Sequence, residues 1–160
     1  MKKIFTILLL ILYVTAINAQ VSQMWAARYD GPQSPYNPAG SHDGASSIAT
    51  DDSGYVYVTG FSFNDATDSI AYATIKYSST GVVQWVARYS GFANVPNAAT
   101  AIAVDNAGNV YVTGSSPGIN ADFDFNTIKY NSAGAEQWVT KYNGPGNGED
   151  YAVSLAIDEA

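Results

Sequence analysis

The sequence contains no cysteine. That excludes a disulfide framework, and it excludes the lipid-bearing cysteine of a bacterial lipoprotein. Any core must hold by packing alone. Charge is also sparse, at 13% of residues, and only seven basic residues stand against 14 acidic ones. A chain this acidic is repelled by nucleic acid and by anionic membrane surfaces, although solubility alone accounts for the acidity. Beyond residue 19 no stretch shows sustained helical periodicity, and none approaches the ~20 apolar residues of a membrane span.

What the sequence does contain points to strands and turns. It is 47% apolar and 13% aromatic, which is enough for a globular core and too apolar for intrinsic disorder. Gly, Ser, Thr, Asn, Tyr and Val are plentiful, the balance of an all-β protein with many turns. The first residues read differently. Lys2 and Lys3 precede an apolar run over 4–14, and Ile17-Asn18-Ala19 offers a small residue at a cut. Residues 1–19 are expected to be a secretory signal peptide, cleaved between Ala19 and Gln20. Its loss leaves five basic residues against 14 acidic ones, a net charge of −9.

Internal repetition is the main signal. Trp25-Ala26-Ala27-Arg28-Tyr29 recurs as Trp85-Val86-Ala87-Arg88-Tyr89 and as Trp138-Val139-Thr140-Lys141-Tyr142, at spacings of 60 and 53. Tyr72-Ala73-Thr74-Ile75-Lys76-Tyr77 recurs 53 residues later as Phe125-Asn126-Thr127-Ile128-Lys129-Tyr130. Asp51, Asp105 and Asp158 mark a third phrase, at spacings of 54 and 53. Repeat units are expected over about 45–89 and 98–142, with the first strand of a third over about 151–160.

Each unit carries four strand-like runs, A to D: 47–50, 55–59, 72–77 and 82–89, then 101–104, 109–113, 125–130 and 135–142. The A–B links are Asp-x-x-Gly, and the C–D links are Ser78-Ser79-Thr80-Gly81 and Asn131-Ser132-Ala133-Gly134. A side-chain acceptor followed by a glycine makes a tight hairpin, so the runs form an antiparallel meander. Run A alternates bulky and small residues, as in Ile48 and Ala49 or Ile102 and Ala103. The bulky face of one sheet can then press on the flat face of its neighbour. Four-stranded meanders of about 50 residues, stacked face to face, predict β-propeller blades in an all-β fold. A β-solenoid, with shorter coils and parallel strands, fits the tight hairpins less well.

The phrase Asp-x-x-Gly-Asn-Val-Tyr-Val-Thr-Gly, followed by Ile-Lys-Tyr-x-x-x-Gly-x-x-x-Trp, resembles the bacterial β-propeller repeat called SBBP. The resemblance covers nearly all of residues 24–160. It implies propeller blades and an exported or cell-surface address (secreted, periplasmic or on the outer surface), and it carries over no catalytic residue. Only two full units are present. The chain is therefore expected to be an incomplete ring, a piece of a longer protein whose remaining blades are its first partners. Run 24–29 is a D strand without A, B or C before it, fit to complete a last blade.

Function is expected in the long links, 30–45, 61–71, 90–99, 115–124 and 143–150, which share one end of the blades. The two full D–A links differ by about six residues while the strands keep register. Eight of the 14 acidic residues lie in these links, and no Lys or Arg does. Asp65 with Asp68, and Asp122 with Asp124, are the best candidates for Ca²⁺. A solvated acidic rim is the simpler reading, and no other cofactor is expected. His42, beside Asp43, reads as a surface residue rather than part of a Ser–His–Asp site. Trp25, Trp85 and Trp138 read as packing between outer strands, although the Gly-x-x-x-Trp spacing of Trp85 and Trp138 resembles that of quinoprotein repeats. The expected function is an exported binding or scaffold module for an extracellular protein or glycan. The competing reading is part of a propeller enzyme, a quinoprotein-like oxidoreductase or a hydrolase, with its active site in other blades.

Overall fold

A computed structural model describes residues 22–32, 42–64, 69–91, 97–118 and 122–158. Two four-stranded antiparallel meanders make up the fold. Blade one runs β1 (Asp43–Thr50), β2 (Val56–Asn64), β3 (Ser69–Tyr77) and β4 (Val83–Tyr89). Blade two runs β5 (Ala98–Val104), β6 (Val110–Pro117), β7 (Phe123–Tyr130) and β8 (Glu136–Tyr142). The described residues include no helix long and apolar enough to cross a membrane.

The hairpins form because each turn caps itself. Asp51 Oδ1 accepts from the amides of Ser53 and Tyr55, both at 3.0 Å, and Oδ2 accepts from the Tyr57 hydroxyl at 2.9 Å. Asp105 repeats the pattern with Ala107, Asn109 and Tyr111. Ser78 and Asn131 do the same for the C–D turns. The glycine of each turn takes the left-handed conformation the turn requires, with φ of 79° at Gly54 and 81° at Gly134.

The strands run further toward the long-link end than the sequence pattern suggests. β2 extends to Asn64 and β3 begins at Ser69, so much of the 61–71 link is ladder. Gly60 and Gly114, which read as strand ends, lie inside β2 and β6. Each faces a β-bulge in the partner strand, between Ala45 and Ser47 and between Ala99 and Ala101. There the opposite backbone comes so close that a side chain on Gly60 would strike the Gly44 carbonyl, and one on Gly114 the Ala98 carbonyl.

The blades stack through β5, which packs on β1, β2 and β3. The front face of blade two, with Ile102, Val110, Val112, Ile128 and Tyr130, is buried against Tyr57, Tyr72 and Ala87 of blade one. Ala49, on the flat side of β1, packs against this core. The two sheets do not close into a ring. Residues 22–32 and 151–158 form no ladder with either sheet.

Candidate functional site

The two ends of the blades differ in kind. At the short-turn end a groove of about 290 Å³ runs between the A–B turns, lined by Asp51, Asp52, Asp105, Asn106 and Lys76. The Asp51 and Asp105 carboxylates are already committed to their own turns. The Lys76 ammonium lies over the Tyr55 ring, 4.1 Å from its centroid. Asp105 is partly desolvated, which opposes ionisation. The hydrogen bonds from Asn109, Ala107 and Tyr111 outweigh this and hold its carboxyl below the ordinary value.

At the long-link end several acidic side chains serve the loops themselves. Asp43 Oδ2 accepts from the Gly31 amide at 2.8 Å, tying the first D–A link shut. Asp150 Oδ2 accepts from the Gly144 amide at 2.5 Å and closes the last one. Asn97 holds the same position in blade two, its amide nitrogen donating to the Ser90 carbonyl at 2.9 Å and the Ile70 carbonyl at 3.1 Å. These three residues are a device that residue-by-residue reading missed. The signal was present, because Tyr-x-Gly followed by Asp or Asn recurs at 29–31 with 43, 89–91 with 97 and 142–144 with 150. Asp43 and Asp124, read from the sequence as link residues, belong to β1 and β7.

The candidate cation ligands are placed as follows. Asp65 and Asp68 lie outside the described residues. Asp124 is buried, at 5% exposure, with its carboxylate folded against Gly118. Asp122 is half-buried, and its carbonyl accepts from the Gly118 amide at 2.7 Å. Among the described residues no three His, Asp or Glu side chains gather as a metal site would require. Glu149 accepts from the Tyr151 hydroxyl at 2.9 Å. His42 is exposed at the head of β1, and its carbonyl accepts from the Phe63 amide.

The tryptophans pack between successive blades. Trp85, on β4 of blade one, reaches over the C–D turn of blade two. Its indole donates to the Ser132 carbonyl at 3.1 Å, and its ring lies over Gly134, with the Tyr130 ring centroid 6.4 Å away. Trp25 makes the equivalent contacts with blade one, over Gly81 and 6.0 Å from Tyr77. The tyrosine four residues on reaches across too. Tyr89 accepts from Asn126 of blade two, and Tyr29 from Arg88 of blade one. Arg88 also donates to the Ser62 hydroxyl at 2.6 Å, so this repeated cation is structural.

No curated protein is similar enough to this chain to be matched. The family model for the SBBP β-propeller repeat matches residues 84–120, a span that runs from β4 through β5 and β6. The match therefore crosses the junction between the blades, and over residues 84–120 the chain is similar to the SBBP β-propeller repeat.

Proposed function

We propose that the chain is an exported propeller segment that binds an extracellular protein or glycan through its long D–A and B–C links. One observation carries the reading. The short turns are capped by their own side chains, while the long links vary in length on a fixed ladder. Self-satisfied turns offer few free donors or acceptors, whereas loops on rigid strands present variable ones. The absence of basic residues from these links favours a ligand that carries amine, guanidinium or hydroxyl donors. Export rests on the Lys-Lys start and the short apolar run, and N-terminal sequencing of protein recovered outside the cell tests it.

The binding test compares the native chain with one whose D–A segments 33–40 and 92–96 and B–C segments 65–68 and 119–121 are replaced by Gly-Ser linkers of equal length. Both are screened against immobilised glycans and surface proteins, with and without Ca²⁺. Binding should depend on the native links. A ligand held equally well by both proteins would place recognition elsewhere on the molecule and overturn the reading. A Ca²⁺ requirement would draw the carboxylates of the rim into the site.

A further inference from the structure

The groove between the A–B turns holds one uncommitted charge of each sign. Lys76, on β3, is only 9% exposed. Its ammonium lies over two ring faces, 4.1 Å from the Tyr55 centroid and 5.1 Å from that of Tyr57. The rings offset part of its desolvation, but they do not accept its N–H bonds as an oxygen would. Among the described residues no oxygen accepts from this ammonium. Asp52 lines the same groove from its exposed side. Unlike Asp51 and Asp105, it has no hydrogen-bond donor among the described residues. Its counterpart in the second unit is Asn106, and that turn closes just as well, so the hairpin does not require a carboxylate there. The groove is built by two successive blades: blade one supplies Asp52 and Lys76, and blade two supplies Asn106 and Ser132.

We propose that this groove binds the zwitterion of a free α-amino acid. The ligand carboxylate accepts from the Lys76 ammonium, and the ligand ammonium donates to the Asp52 carboxylate. Charge selects this class of molecule. A simple anion would meet Lys76 but also the field of Asp51, Asp52 and Asp105. A simple cation would meet the Lys76 ammonium. A molecule with both charges a few bonds apart meets each with its opposite, and such charge-assisted hydrogen bonds are stronger where water is partly excluded. Size agrees with charge. The groove of about 290 Å³ lies at the lower edge of the ~300–1,000 Å³ of small-molecule sites, which suits one amino acid better than a peptide. Asn106 and Ser132 leave a polar rim for the ligand side chain, and the lining gives a purely apolar molecule little to bury against. This site lies at the opposite end of the blades from the long links and is independent of any recognition there.

Amide chemical shifts of the full chain, titrated with glycine and with L-serine, test this. Both should bind with Kd on the order of 1 mM. They should move the amides of Ser53 and Ala107 at the groove and leave those of Gly31 and Gly144 in the long links unmoved. Acetate and methylamine each carry one of the two charges and should bind at least ~10-fold more weakly. Lys76→Met keeps an unbranched apolar stem in the packing and should weaken binding by ~10-fold or more. Asp52→Asn alters an exposed side chain, so it should fold whether or not the first variant does, and it should weaken binding by about 3-fold. Overturning results are three. Neither amino acid shifts the groove amides at about 100 mM, a hundred times the expected Kd; acetate binds as tightly as glycine; or a folded variant binds as tightly as the native chain.

Discussion

Trp85 and Gly134 occupy one volume between them: a Cβ on Gly134 would lie 2.7 Å from the indole ring. The glycine also has φ of 81°. Gly134→Ala should therefore carry two costs, about 1–2 kcal/mol for a left-handed non-glycine residue and about 1–3 kcal/mol for overpacking. Gly108→Ala, at φ 78° and beside Ser132 at 3.3 Å, should carry mainly the first. Urea unfolding of the two variants measures the difference. Equal losses would mean that the indole does not press on the turn.

Replacing the indole itself should separate a junction position from an exposed one. Trp85→Ala removes a side chain packed between the blades and should destabilise by about 3 kcal/mol, the low end for a large aromatic because the ring is only half-buried. Trp138→Ala removes the same residue type from an exposed position and should cost no more than about 0.5 kcal/mol. Thermal unfolding followed by circular dichroism reads both.

Acid should weaken the A–B turn of blade two. Partial desolvation opposes ionisation of the Asp105 carboxyl, but the hydrogen bonds from Asn109, Ala107 and Tyr111 outweigh it and hold the group below its ordinary value. A depressed folded value contributes stability that is fully present above the unfolded value and lost as pH falls through the folded one. Asp105→Asn should remove that dependence below about pH 4. Unfolding free energies from pH 6 to 2 compare the variant with the native chain. Parallel curves would show that the turn carboxylate does not titrate with folding.

Alkali should act on the blade junction. Burial raises the hydroxyls of Tyr72 and Tyr130 far above the usual value of 10.0, with smaller contributions from neighbouring acidic groups. A raised folded value means their stabilisation is complete below pH 10 and is lost as pH rises beyond it. The ultraviolet titration should show exposed tyrosines ionising first. Tyr72 and Tyr130 should follow in one cooperative step that coincides with unfolding. Smooth titration of every tyrosine near pH 10 would contradict their burial.

The Asp43 bond to Gly31 spans 12 residues and closes the first D–A link. Asp43→Ala should speed hydrogen exchange at the Gly31 amide by 10-fold or more, the equivalent of losing ~1.4 kcal/mol of a charge-assisted bond. The strand amides of β2 and β3 should stay protected. Unchanged exchange at Gly31 would assign the link's order to other contacts.

Most of the blade architecture was legible because its causes are local. Asp51, Asp105, Ser78 and Asn131 bond to amides two and four residues away, so a short phrase carries the whole turn. The alternation of Ile102 with Ala103 likewise showed which face would press on a neighbour. Strand ends were less legible. Gly60 and Gly114 look like terminators, and only the partner strand shows that they face a bulge. The role of the link carboxylates was hidden too. Asp43 and Asp150 bind backbone amides, and only the recurring Tyr-x-Gly ahead of each, at varying distance, marks that role in the sequence. Asp124 reads as a loop ligand, but the ladder reaches it and buries it.

The one-way fit of front to back also bears on how such a protein changes its size. A unit of about 53 residues carries one whole face of each kind. Duplicating or deleting a unit leaves every remaining junction with the same chemistry. The number of blades is then set by the angle at which the sheets meet rather than by the identity of any one blade. A recombination event in register can alter circumference without creating a single mismatched surface.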